Sequence, residues 1–217
     1  MLTEIYSTLG RQATLDHLNE NVRKDSGNPG LLYLRGRLLA QMGRTSQAFD
    51  DLDQSYSLGF RQPGLFARRG RMAQLLGRED EAKDDLRKAV KSDPENALFH
   101  AYLGDNERLR AKYDLAAPIL ETAIRLDPRL SVAYQFRGLL YHELGLFQRA
   151  IEDFDQAIKL DPALVDIEAN RAETYRQQDI FAKTGQVTPA LEDHKRRYST
   201  DFDQVEFLAW KGRMAQL

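Results

Sequence analysis

Glycine recurs in this sequence at Gly36, Gly70, Gly104 and Gly138, each 34 residues after the last. A further step lands on Ala172, another small residue. Alanines keep the same step at Ala48, Ala82, Ala116 and Ala150, and again at Ala89, Ala123 and Ala157, with Ser55 in the first unit. Large apolar residues sit between the two alanine sets: Leu52, Leu86, Leu120 and Phe154. A fixed period of this length means stacked supersecondary units, each burying its apolar face on its neighbours. It also accounts for GRMAQL, which occurs at Gly70–Leu75 and again at Gly212–Leu217. The two copies are the same stretch of one helix in two units, not a motif used twice.

Each unit reads as helix, short turn, helix. In the fourth, GLLYHEL carries apolar residues at helical spacing, Gly145 breaks it, and RAIEDFDQAIKL resumes it with Ile151, Phe154, Ala157 and Ile158. Asp93-Pro94, Asp127-Pro128 and Asp161-Pro162 close the second helices, because proline disfavours helix in the residue before it. Pro29 and Pro63 open the first two units. Glycine or alanine at the beat lets two helix backbones approach closely.

The pattern resembles the tetratricopeptide repeat. In the fourth unit Tyr134, Gly138, Tyr141, Gly145, Ala150, Phe154, Ala157 and Pro162 all fall on signature positions. The resemblance covers about residues 29–204 and implies an all-α, right-handed superhelical solenoid of antiparallel helix pairs. The expected organisation is one continuous domain. Residues 1–28 form a degenerate capping pair, followed by repeats over 29–62, 63–96, 97–130 and 131–164. A fifth repeat over 165–204 contains a six-residue insertion in QDIFAKTGQVTP, and a lone helix over 205–217 ends the chain. The insertion either lengthens the first helix of that unit or widens its turn.

A second periodicity joins the two helices of each unit. Arg35, Arg69, Arg137 and Arg171 precede the small position, and Asp51, Asp85, Asp153 and Asp193 lie three beyond the first alanine. The third unit has Leu103 with Ile119. Ion pairs are expected in four units and an apolar contact in the third, since a part-buried arginine without a partner is costly.

The resemblance places ligands in the groove lined by the first helices, where such repeats hold an extended peptide or a partner helix. The residues at groove positions are Tyr33, Arg37, Arg68, Arg71, Gln74, Tyr102, Asp105, Arg108, Gln135, His142, Asn170, Glu173 and Arg176, with Trp210 and Arg213 in the last helix. PGLLYLRGRLLAQM and PGLFARRGRMAQLL contain no acid, so once Arg35 and Arg69 are paired, Arg37, Arg68 and Arg71 leave a basic stretch. This points to an acidic or carboxylate-bearing peptide, with arginines as bidentate donors and Tyr33 and Tyr102 as flat contacts. The competing reading is that these arginines only solvate a helical surface. Members of the family that clamp chaperone C-termini use lysines and asparagines where this chain has Tyr33, Arg37, Arg68 and Asp105, which speaks against that clamp.

The remaining chemistry is sparse. The net charge is −2 and there is no cysteine, so thiolate chemistry is absent and neither nucleic acid nor membrane is an expected partner. His17, His100, His142 and His194 lack the spacing of a helix-borne metal site, and no glycine-rich phosphate loop follows a strand. No cofactor, metal or catalytic residue is expected, and the chain reads as a scaffold or adaptor rather than an enzyme. A chaperone for an unfolded or secreted client, and a regulatory module of a larger enzyme, are the alternatives. No signal peptide is read at the N-terminus, so the cytoplasm is the expected compartment, with the periplasm open if a leader has been removed. Phe207, Leu208 and Trp210 form an apolar strip on the last helix, a candidate surface for self-association or a partner.

Overall fold

The computed structural model describes residues 10–184, which form ten helices and no strand among the described residues. They are α1 (Arg11–Lys24), α2 (Pro29–Gln41), α3 (Thr45–Ser57), α4 (Pro63–Leu75), α5 (Glu79–Ser92), α6 (Ala97–Leu109), α7 (Tyr113–Leu126), α8 (Ser131–Glu143), α9 (Phe147–Leu160) and α10 (Val165–Thr184). The chain divides after Pro94 into two compact units.

Local chemistry sets the helix ends. Pro29 and Pro63 sit in the first turns of α2 and α4, where a missing N–H costs nothing. Asn28 caps α2 by accepting from the N–H groups of Gly30 and Leu31 at 3.1 and 3.2 Å. The turn inside each pair needs a left-handed residue, supplied by Gly43 and Gly77 at φ 72° and Gly145 at φ 68°. After the second helices, the Asp127 and Asp161 side chains accept from the N–H of Arg129 (2.9 Å) and Ala163 (3.1 Å), closing the Asp-Pro turns.

In the first unit α2 packs on α3 and α4 on α5, with α1 against α2 and α3 against α4. The core between them includes Leu15, Leu38, Phe49, Leu52 and Leu65. In the second unit α6 packs on α7 and α8 on α9, with α10 against α9. Its core gathers on Leu120, Phe136 and Leu140, and then on Phe154 and Ile167. The small residues at the beat are contact points. A methyl on Gly70 would meet Leu86 Cγ at 2.9 Å and the Ala82 carbonyl at 3.1 Å, and one on Gly138 would meet the Phe154 ring at 2.7 Å. Ala48, Ala82, Ala116 and Ala150 are fully buried.

The first part of QDIFAKTGQVTP, through Thr184, is helical, and its remainder lies outside the described residues. The first helices α2, α4, α6 and α8 have 13 residues each, whereas α10 has 20.

The arginine–aspartate pairs form across the helix pairs. Arg35 grips Asp51 with two bonds of 2.7 Å, Arg69 grips Asp85 at 2.5 and 2.8 Å, and Arg137 grips Asp153 at 2.9 and 2.8 Å. In the third repeat Leu103 is buried and Ile119 half-buried. Asp193 lies outside the described residues, and Arg171 bonds Asp155 on the preceding helix. That backward arm belongs to a second set of contacts that the forward spacing did not suggest. Arg69 also reaches back to Asp53 (2.9 Å), and Arg35 to Asn19 (3.3 Å). The signal for it was present, because an acid or amide lies 16 residues behind each of these arginines as well as an acid 16 ahead of Arg35 and Arg69.

Candidate functional site

In the first unit, α2 and α4 bring forward cations that no carboxylate of their own helices can neutralise. Arg35 and Arg69 are spent on aspartates. Arg68 is half-buried and spends its Nη1 on neutral oxygens, donating to Tyr33 Oη at 3.0 Å and to the Gly64 carbonyl at 3.1 Å. Tyr33 is itself fixed, stacked on Phe60 with centroids 4.8 Å apart. The Arg68 guanidinium carbon lies 5.8 Å from the Tyr33 ring centre. Arg37, Arg71 and Gln74 are half-buried on the same two helices. The structure thus ties Tyr33 to Arg68 and leaves a guanidinium with donors held in place and its charge uncompensated by acid, which suits a carboxylate.

In the second unit the expected groove residues have different fates. Asp105 and Arg108 are 2% and 7% exposed and bond each other, Arg108 donating from Nε (2.9 Å) and Nη2 (2.6 Å) to Asp105 Oδ1. Arg108 also bonds Glu143 at the end of α8. Burial pushes the Glu143 carboxyl up, against the pull of Arg108. These charges serve one another and offer no open donor or acceptor of the kind expected at groove positions. Glu143 is the member of this cluster that spacing alone did not single out. Tyr102 is half-buried and tilted against Phe136, with centroids 6.5 Å apart. Gln135 and Asn170 are half-buried.

His142 is positioned by α8 and α10 together. Its Nδ1 lies 2.8 Å from Thr174 Oγ1, which donates its own proton to the Asn170 carbonyl at 2.7 Å, so Nδ1 carries the proton in this pair. Burial lowers the His142 pKa. Glu173 is held at about 2 by hydrogen bonds from Arg176 and Gln177. Arg176 forks onto it at 2.7 and 2.6 Å. Phe207, Leu208 and Trp210, together with Arg213, lie outside the described residues. Among the described residues no group of three or more His, Cys, Asp or Glu side chains could hold a metal ion, and no helix is long and apolar enough to cross a membrane.

The sequence that forms these paired helices is matched in part by family models. Residues 68–129 and 131–164 each match a tetratricopeptide-repeat model. Over those residues the chain carries tetratricopeptide repeats, and the described residues have an all-α architecture. Its fold is similar to that of TTC0263, a thermophilic TPR protein of Thermus thermophilus, with TM-score 0.65 and 18% identity over 80% of this chain and 95% of that one. It is also similar to MamA from Desulfovibrio magneticus, with TM-score 0.61 and 20% identity over 75% and 92% of the two chains. A third likeness is to YrrB, a TPR protein with an unusual peptide-binding site, with TM-score 0.51 and 20% identity over 90% and 97%. At these identities the likeness is one of fold. No curated protein matches the sequence.

Proposed function

We propose that the chain is a non-catalytic adaptor whose first unit holds an acidic or carboxylate-bearing peptide on α2 and α4. Arg37, Arg68 and Arg71 would supply the donors, and Tyr33 a flat contact. The observation that carries this reading is Arg68, a half-buried cation whose hydrogen bonds go to a phenol and a carbonyl rather than to an acid. Arg37 adds a second cation with no ion pair to any described residue. A half-buried guanidinium facing neutral oxygens gains most from an incoming carboxylate, because the cost of its partial desolvation has already been met in the free protein.

Fluorescence polarisation against a panel of acidic, neutral and basic peptides tests this. Acidic peptides should bind best, and affinity should fall as salt rises. The triple variant Arg37→Ala, Arg68→Ala, Arg71→Ala should lose at least roughly tenfold, as expected when charge-assisted bonds are removed. Unchanged affinity in that variant would sink the proposal. Equal binding of all three peptide classes would favour a chaperone that holds unfolded clients without sequence preference.

A further inference from the structure

Besides Leu103 and Ile119, the third repeat departs from the residues of its neighbours at four further positions, all within one helix pair. The core position filled by Leu38, Met72 and Leu140 is Asn106 in α6. Asn106 is 1% exposed, as buried as Leu38 and Leu140 at 0%, and its Oδ1 meets no hydrogen-bond donor. The next core position, Leu39, Ala73 and Tyr141 elsewhere, is Glu107, 2% exposed and 3.7 Å from Arg110. The left-handed turn residue, glycine at 43, 77 and 145, is Ala111 at φ 54°, the single non-glycine residue with positive φ among those described. Pro118 then stands inside α7, where the second helices of the neighbouring repeats carry Asp50, Asp84 and Glu152.

Each departure weakens the pair by a different route. An orphaned buried carbonyl oxygen loses its hydration without return. A side chain in the left-handed region crowds its own backbone. Proline removes one helical bond and crowds the carbonyl four residues earlier. None of the other helix pairs described combines such features. The pair is fastened by charge: Arg108 bonds Asp105 on its own helix and Glu143 on α8.

We infer that the α6–α7 hairpin is the part of the second unit that opens first, by a local transition that leaves α8–α9 folded and releases the buried polar run Asp105-Asn106-Glu107-Arg108. This concerns the second unit and is independent of the peptide site proposed on α2 and α4.

Hydrogen exchange of the full-length protein, read by mass spectrometry, tests it. Protection factors over residues 97–126 should be at least about tenfold below those over 131–160, which corresponds to ~1.4 kcal/mol of easier opening. The variant Asn106→Leu, Ala111→Gly, Pro118→Glu restores the residues of neighbouring repeats. It should raise protection over 97–126 at least tenfold and leave 131–160 within about threefold. Ala111→Gly alone alters only the turn, and should raise protection of the hairpin about threefold if the triple variant does not fold. Equal protection of the two hairpins in the wild type would overturn the inference. So would a rise of the same size in both hairpins in the restored variant, or no change over 97–126 with Ala111→Gly.

Discussion

Gly70 shows at the scale of one residue how the repeat works. In a free helix alanine would be better than glycine by up to about 1 kcal/mol. Here the added methyl would lie 2.9 Å from Leu86 Cγ and 3.1 Å from the Ala82 carbonyl, and a backbone carbonyl inside a packed helix cannot swing aside. Overpacking of this kind costs roughly 1–3 kcal/mol, enough to outweigh the gain in propensity. Gly70→Ala should therefore lower stability by about 1–2 kcal/mol in urea melts. The same change at Gly27, where a methyl meets nothing within 4 Å, should be close to neutral or slightly stabilising. Equal effects at the two sites would show that the glycine beat reflects chain flexibility and not close packing.

At the scale of the element, Arg35 and Arg69 each link a first helix to the second helices on both sides of it. Their worth should follow burial. Asp85 is 1% exposed as a side chain beneath Arg69, whereas Asp155 beside Arg171 is 51% exposed. Removing Arg69 leaves the buried Asp85 with only the longer contact to Lys88 at 3.5 Å, and breaking a buried pair costs about 3–5 kcal/mol, while an exposed pair is worth less than about 1 kcal/mol. Arg69→Leu should thus be strongly destabilising and Asp155→Ala mild. The third repeat shows what can take the place of the ion pair, since it carries Leu103 and Ile119 at these positions. The double variant Arg69→Leu, Asp85→Ile should recover most of what Arg69→Leu loses. A double-mutant cycle by chemical denaturation measures that coupling, and additive losses would mean the two side chains do not act as a pair.

At the scale of the molecule, the architecture was legible because stacked pairs demand the same small, apolar and turn residues at every step, so one period encodes the helix order. The forward Arg–Asp pairs were legible for the same reason. What the beat could not show was what a departure from it becomes in space. QDIFAKTGQVTP reads as an insertion in the sequence, and the fold shows its residues through Thr184 as part of α10. Asp105 and Arg108 stand at groove positions by count, yet with Asn106 and Glu107 beside them they are drawn inward, and Glu143 joins them from another helix. That polar interior gives the second unit its own response to pH. Burial raises Glu143 and Asp153 above the ordinary 4.5 and 3.8, so the folded state holds their protons more tightly than the unfolded chain does. Their contribution is greatest in acid and is lost as pH rises from those values through the folded ones. Burial lowers His142 below 6.5, so the unfolded chain binds its proton more tightly, and this contribution is lost as pH falls below 6.5. The facing groups are Arg108, Asp105 and Tyr113 at Glu143, Arg137, Arg149 and Glu152 at Asp153, and Glu173 at His142. The two trends oppose, and single variants separate them in urea melts across pH. Glu143→Gln should reduce the loss of stability above pH about 4.5, and His142→Asn should remove the part of the loss that sets in as pH falls below about 6.5. Unfolding free energies with wild-type pH dependence in both variants would place the titrating groups elsewhere in the chain.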